Sequence, residues 1–290
     1  MRIDLHTHST ASDGTVAPDE LMRAAAHAGL DGVARTDHDP LAGWARAAPA
    51  ATAAGIEFVP GLELSCRWYG VSPPVPLHLL AYYVDPSEPT LTAELGRVRA
   101  ARQRRAEQIV ALMRADGVDV TWDEVAGDAA GAPVGRPHLA QALIRRGLAS
   151  SVAEAFAPSM LGQRWRLPKD DVDVFAGLAL IRAAGGVAVF AHPRATRRGR
   201  TVPDELITSL AAHGLAGLEA DHEDHTPAQR NHLRRLAGEL GLLVTGSSDF
   251  HGANKTVRLG AHLTAADAFA AIRARAHAGQ ARDRPEAWGG

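Results

Sequence analysis

A His-x-His pair stands within a few residues of the start of this 290-residue chain, in Asp4-Leu5-His6-Thr7-His8, and it restricts the fold more than any total does. In an extended strand, residues i and i+2 point to one face, so His6 and His8 can present two imidazoles to one ion while Leu5 and Thr7 face away. Similar text recurs as Ser12-Asp13-Gly14, Thr36-Asp37-His38-Asp39, Gly61-Leu62-Glu63, Leu77-His78, Ala191-His192-Pro193 and Ser248-Asp249-Phe250-His251, each closing or following an apolar run. Such a chain needs a fold that gathers strand ends in one place. An α/β barrel does this, because its βα loops converge at the carboxyl ends of its strands.

Strand signals alternate with helical patterns: Ile3 to Leu5 then Pro18 to Ala28, Gly32 to Thr36 then Leu41 to Ala54, followed by strand-like Ile56 to Leu64 and Leu77 to Val84. This alternation predicts βα units and a largely parallel sheet. Beyond Pro86 the rhythm changes to a long charged helix, about Leu91 to Ala115, carrying Arg97, Arg99, Arg102, Arg104 and Arg105. Shorter helical stretches follow, Pro137 to Arg146 the clearest. Alternation resumes with Val172 to Ala184, Val187 to Ala191, Pro203 to His213, Leu215 to Ala220, Pro227 to Leu240 and Leu242 to Thr245. The expected architecture is a catalytic barrel in two pieces, 1–86 and 171–290, interrupted by a small helical subdomain at 87–170. That insertion holds 12 Lys/Arg against 10 Asp/Glu, formally +2, which leaves 19 against 23, or −4, for the rest. Its arginines suit a lid over an acidic, metal-filled mouth. The last ten residues or so lack periodicity and are expected to be loose.

The composition, 46% hydrophobic and 22% charged, is that of a soluble globular protein. The longest apolar candidate, Leu178 to Phe190, is broken by Arg182 and Gly185-Gly186, so no membrane span is expected. A strand that begins at once argues against a secretory signal. The single cysteine, Cys66, excludes an intrachain disulfide and a Cys-type zinc finger and agrees with a reducing compartment, so the expected location is the cytoplasm. A formal net charge of −2 argues against a surface for long double-stranded nucleic acid or anionic membrane, yet permits a local basic pocket. The oligomeric state has no signal in the sequence.

The candidate metal ligands are His6, His8, Asp13, His38, Glu63, His78, His192, Asp249 and His251. Mixed imidazole and carboxylate suit zinc, manganese or iron better than calcium or magnesium. Nine candidates are too many for one ion of about four to six ligands, so two or three divalent ions are implied. His27, His213, His232, His262 and His277 lie in helical or turn text without carboxylate neighbours and read as ordinary surface or core residues. Asp4 and Asp37 read as orienting neighbouring histidines, and Glu219 as supporting the cluster from behind.

At these residues the chain resembles the PHP family, named for polymerase and histidinol phosphatase, and within it the stand-alone metal-dependent phosphoesterases. The matching text is DLHTHSTASDGT at the start, TDHD at 36–39, GLELS at 61–65, LHLLAY at 77–82, GRPH at 135–138, AHP at 191–193 and SSDFHG at 247–252. The resemblance implies a distorted barrel of seven β/α units holding a trinuclear cluster. It implies one metal on His6, His8, Glu63 and Asp249, a second on Asp13, His38 and His251, and a third on Glu63, His78 and His192, with Glu63 bridging the first and third. The chain departs from the family pattern at Arg35, where a small or apolar residue is usual, and at Ser247, where glycine is usual.

Two or three neighbouring metals can hold a hydroxide between them and polarise a phosphoryl oxygen, which makes in-line attack on phosphorus the natural reaction. Gly135-Arg136-Pro137-His138 sets Arg136 and His138 at a helix amino terminus, where free N–H groups favour an anion, and Arg194 is a further candidate for binding substrate. In Asp221-His222-Glu223-Asp224-His225, either His222 or His225 can protonate the leaving oxygen. His222, with Asp249, is the candidate catalytic pair. The resemblance suggests hydrolysis of small nucleotide monoesters such as the 3′-phosphate of a nucleoside 3′,5′-bisphosphate, with 5′-to-3′ trimming of short RNA. The rivals are a histidinol-phosphate phosphatase, an amidohydrolase and a non-catalytic metal-binding scaffold. The amidohydrolase class often bridges its metals with a modified lysine, whereas the only lysines here are Lys169 and Lys255.

Overall fold

A computed structural model describes residues 1–38, 43–129 and 134–282. Asp39, the expected helix start at Leu41 and the expected loose tail at 283–290 lie outside the described residues. The chain divides into two compact units, 1–93 with 171–290, and 94–170.

In the first unit the eight described strands form one sheet: β1 (Ile3–Asp4), β2 (Gly32–Arg35), β3 (Glu57–Trp68), β4 (Val75–Tyr82), β5 (Val172–Asp173), β6 (Val187–Phe190), β7 (Gly217–Asp221) and β8 (Leu243–Gly246). The order is β1-β2-β3-β4-β6-β7-β8, with β5 added to β3. The sheet nearly closes into a barrel: Thr7 bridges Phe250 in parallel, the His8 N–H donates to the Phe250 carbonyl at 2.8 Å, and the Thr264 N–H donates to that of Ile3 at 2.9 Å. Every residue of β2 and β6 is buried, as expected for strands covered on both faces.

One element departs from the parallel expectation. β4 runs antiparallel to both β3 and β6, because the connection at 69–74 is too short for a crossover helix and closes a hairpin instead. The register pairs Glu63 with Leu80 and Ser65 with His78, so Glu63 and His78 are diagonal neighbours on one face. On that face Leu80 joins Ile3, Leu5, Val59 and Val189 in the apolar core, which therefore lies beneath the polar cluster.

The helices of this unit include α1 (Pro18–His27), α2 (Trp44–Ala54), α7 (Val174–Ala183), α8 (Asp204–Ala212), α9 (Pro227–Leu240) and α10 (Ala266–Arg282). α9 shows why its limits are sharp. Thr226 caps the first turn and accepts from the Gln229 N–H, Pro227 takes the first helical position, and Gly241 ends the helix at φ 65°.

α3 (Pro89–Ala115) contains the division between the units, and the second unit continues with α4 (Trp122–Ala129), α5 (Arg136–Arg145) and α6 (Val152–Ala155). Its core is apolar, built on Ile109, Met113, Val125, Leu139, Leu143 and Leu161. Among the described residues, no helix is long and apolar enough to cross a membrane.

Candidate metal centre

The Glu63 carboxylate is the hub of the cluster. Its Oε2 lies 3.3 Å from His6 Nε2, 3.2 Å from His8 Nε2 and 3.2 Å from His38 Nδ1, while its Oε1 lies 2.7 Å from His78 Nδ1 and 3.0 Å from His192 Nε2. The two oxygens thus divide five histidines between them, the geometry a bridging carboxylate needs. Asp249 Oδ1 is 3.4 Å from His6 Nε2 and 3.3 Å from His8 Nε2. Asp13 Oδ1 is 3.4 Å from both His8 Nδ1 and His251 Nε2, and Asp13 Oδ2 is 3.7 Å from His38 Nε2. All nine candidate ligands therefore converge.

They interleave more than the resemblance implies. Donor atoms within 4.8 Å of one another form three groups: His8, Asp13, His38 and His251; His6, His8 and Glu63; and His38, Glu63 and His78. His8 belongs to two of these, one nitrogen turned to Asp13 and the other to Glu63. His38 does the same.

The surrounding groups aim the rings. His6 Nδ1 donates to Glu219 Oε1 at 2.9 Å and His251 Nδ1 donates to the Asp249 carbonyl at 2.8 Å, which leaves each Nε2 lone pair facing the cluster. Glu219 Oε2 also accepts the His192 N–H at 2.7 Å, and Glu219 Oε1 accepts the Ser247 hydroxyl, so the serine at the departure from the family pattern has a partner here. Asp4 accepts from the backbone N–H groups of Ser248 at 3.0 Å and Gly260 at 2.9 Å, tying the loop after β8 to β1. His192 and Asp249 hold φ of 32° and 53°, left-handed backbone that such residues adopt only where the surroundings dictate it.

The electrostatics call for cations. Burial opposes a charged His6, yet the carboxylates of Asp249, Glu219 and Glu63 outweigh it and push its pKa up to about 10. Burial likewise disfavours an ionised Glu63, but His38, His78 and His6 hold it well below the usual carboxylate range. His38 and His192 are driven well below their ordinary value, chiefly by burial, and so keep the neutral imidazoles that ligate metals. Two buried polar atoms, Asp249 Oδ1 and His38 Nδ1, have no hydrogen-bond partner among the described residues although both point at this cluster. Unsatisfied acceptors beside converging lone pairs fit divalent ions of nitrogen-and-oxygen preference, and these residues are suited to hold them.

The model for the PHP domain matches residues 4–115. A 5′-3′ exoribonuclease of Haemophilus influenzae is 34% identical over 92% of this chain and 96% of its own length. The chain belongs to the PHP family. A 3′,5′-nucleoside bisphosphate phosphatase of Chromobacterium violaceum is 33% identical over 86% of this chain and 87% of its own. A solved structure described as a metal-dependent phosphoesterase from Bifidobacterium adolescentis superposes with a TM-score of 0.87 at 35% identity, covering 94% of this chain and 96% of that one. This PHP protein is accordingly a metal-dependent phosphoesterase, the enzyme class expected from its sequence.

Other expected site residues in the PHP protein have varied placements. His222 Nε2 is 3.3 Å from Asp249 Oδ2, and its Nδ1 accepts the Asp224 N–H at 2.9 Å, which puts the proton of the neutral ring on the nitrogen facing the cluster. His225 is turned to backbone: its Nδ1 donates to the Ala220 carbonyl at 2.9 Å and its Nε2 accepts the Arg194 N–H at 3.1 Å. The Arg194 guanidinium is likewise committed elsewhere, to Asp204 and the Val202 carbonyl. In the second unit, Arg136 donates to the Leu161 carbonyl at 3.3 Å with its guanidinium 4.9 Å above the Phe156 ring, and His138 Nδ1 accepts the Gly135 N–H at 3.0 Å.

Sequence reasoning missed two cations at the rim. Arg198 donates to Asp224 Oδ2 at 2.8 Å and to Asp249 Oδ2, with its Nη1 3.1 Å from His192 Nε2. Lys255 Nζ reaches the same Asp249 oxygen at 2.6 Å. The scarcity of lysine could have drawn attention to Lys255. Nothing in the run of Arg194, Arg197, Arg198 and Arg200 singles out the arginine that turns inward.

Proposed function

We propose that this PHP protein removes the phosphomonoester of small nucleotides, the 3′-phosphate of nucleoside 3′,5′-bisphosphates in particular, and trims short RNA from its 5′ end. The observation that carries the reading is the convergence of nine candidate ligands, five of them histidines divided between the two oxygens of Glu63, with two cationic side chains at its edge. Its donor chemistry suits two or three ions of manganese, zinc or iron, held by His6, His8, Asp13, His38, Glu63, His78, His192, Asp249 and His251. When bound, such ions supply Lewis-acid polarisation of a phosphoryl oxygen and an acidified water.

The protein side chains supply the rest. Arg198 and Lys255 offer a planar fork and a point charge to phosphate oxygens. His222 carries its proton on Nε2 beside Asp249 and delivers it to the leaving oxygen, while Asp249 fixes the ring's position. On the chemistry of a helix amino terminus, Arg136 and His138 are further proposed phosphate contacts. The bridging carboxylate argues for Glu63 over a modified lysine, and Lys255 meets Asp249 as an ion pair. A single cysteine and the absence of a membrane-spanning helix among the described residues support a cytoplasmic enzyme.

The test is phosphate release by the manganese-loaded protein from adenosine 3′,5′-bisphosphate, with histidinol phosphate as the comparison substrate. Selective release of the 3′-phosphate is expected. No release at micromolar enzyme, or a preference for histidinol phosphate, refutes the substrate assignment.

A further inference from the structure

Arg35 is a fully buried arginine at the end of β2, paired in register with Pro60. Its Nη1 lies 2.7 Å from Asp37 Oδ2, a charge pair off the line of a hydrogen bond, and none of its three guanidinium nitrogens has a hydrogen-bond partner among the described residues. A desolvated guanidinium with one carboxylate for company is costly, and removing either member strands the other. The pair therefore has to be explained by what else the carboxylate holds.

Asp37 holds the loop that carries Asp13. Its Oδ1 accepts the Ser9 N–H at 2.8 Å and the Ser12 hydroxyl at 2.6 Å, and its Oδ2 accepts the Ser9 hydroxyl at 2.7 Å. The Ser9 carbonyl then closes the loop by accepting the N–H groups of Ser12 at 3.1 Å and Gly14 at 3.0 Å. At Gly14 a Cβ would come within 2.6 Å of the His8 carbonyl, so the loop is folded tightly back on His8. Beyond it, the Thr15 N–H donates to the His251 carbonyl at 3.2 Å. The Asp37 carbonyl also accepts the Glu63 N–H at 3.2 Å. Asp13 is thus placed against His8 and His251 by a loop that the Asp37 carboxylate holds at Ser9 and Ser12, and Arg35 is the cation lying against that carboxylate.

We propose that Arg35 is a positioning residue for the metal position made by His8, Asp13, His38 and His251, acting through Asp37 and the Ser9–Gly14 loop. The inference rests on reading that group as a metal position. The Asp37 carboxylate makes no contact with Glu63 Oε1, His78 or His192, and Glu63 meets this network only through its backbone N–H, so the two parts of the cluster should respond differently to its loss.

Titration calorimetry with Mn²⁺ on metal-stripped full-length protein, with metal content measured after loading, tests the proposal. Arg35→Met keeps the aliphatic stem and removes the charge. It is expected to weaken one Mn²⁺ position by about tenfold or more while the remaining uptake is unchanged. Arg35→Lys, which restores a cation, should recover most of the affinity. Ser12→Ala, which removes the hydroxyl lying 2.6 Å from Asp37 Oδ1 and 3.2 Å from Asp13 Oδ1 without burying an unpaired charge, should weaken the same position and serves if Arg35→Met does not fold. Wild-type affinity at every position in Arg35→Met or Ser12→Ala overturns the proposal, as does uniform weakening at all positions, the signature of a merely structural residue. Wild-type protein that takes up no Mn²⁺ refutes the metal reading itself, a separate failure visible before any variant is made.

Discussion

The two units bury opposite chemistry. In the unit 94–170 the inaccessible residues are Ile109, Met113, Leu139, Leu143 and their like, and burial there yields stability from apolar surface removed from water. In the first unit an apolar core of Ile3, Leu5 and Leu80 lies with a buried layer of Asp4, His6, His8, Arg35, Asp37, Glu63, Glu219 and Asp249. Charges packed away from water are costly unless paired, and the second layer is tolerable only because nearly every member faces an opposite charge or a lone-pair donor. The difference teaches where stability and chemistry are kept apart: one unit spends its interior on packing, the other on holding charged groups ready for cations.

The contrast predicts different failures. Glu63→Gln removes the carboxylate that both sets of histidines share. Phosphomonoesterase activity should fall on the order of 10³-fold or more, about 4 kcal/mol in transition-state terms, with loss of tightly held metal. Activity and metal content both near wild type would break the comparison at its strongest point. Leu143→Ala, in the apolar unit, should instead cost about 2–5 kcal/mol of stability, read from chemical denaturation, while metal content per folded chain stays the same. Loss of metal in that variant would show that the two interiors are not separate in role.

A subtler difference is drawn by His222, the proposed proton donor, which contacts Asp249 and not the Glu63 hub. His222→Asn should lower kcat by about 10²-fold on a nucleotide monoester, and by much less on an aryl phosphate whose leaving group needs no proton. Equal losses on the two substrates would remove His222 from proton donation and leave it a structural partner of Asp249.

Much of this was legible in the sequence, for reasons particular residues make plain. α9 could be read to its ends because Thr226, Pro227 and Gly241 each perform a local job that no other part of the chain needs to assist. His6 and His8 could be read because strand spacing alone puts them together. The direction of β4 could not, since alternation of buried and exposed residues is the same in parallel and antiparallel strands, and only the short connection after Trp68 decides it. Arg198 was hidden among the arginines around it: Arg194 turns to Asp204 and Arg198 to Asp249, a choice made by the tertiary course of the loop. The double use of His8 and His38 was equally invisible, because which ring nitrogen faces which carboxylate is set by residues far off in sequence.

The smallest expected effect is a pH dependence that separates the charged interior from the apolar one. In the metal-free protein the carboxylates of Asp249, Glu219 and Glu63, against the resistance of burial, raise the His6 pKa from its ordinary 6.5 to about 10. A histidine raised on folding contributes stability that is complete below its unfolded value and fades as the pH climbs toward the folded one. Asp13, Glu63 and Asp249 are depressed instead, despite burial, by the histidines and cations around them, so their contribution is lost only as the solution becomes acid. Metal-free protein should therefore melt progressively earlier, by a few degrees, between pH 6.5 and 10. Divalent ions bound at His6 would displace its proton, so the manganese-loaded protein should lose most of that slope and fail at acid pH instead, where protons compete for the ligands. Scanning calorimetry of both forms across this range decides it: an identical alkaline slope with and without manganese would mean that protons and ions do not compete for one cluster, and that the charged interior is balanced from within.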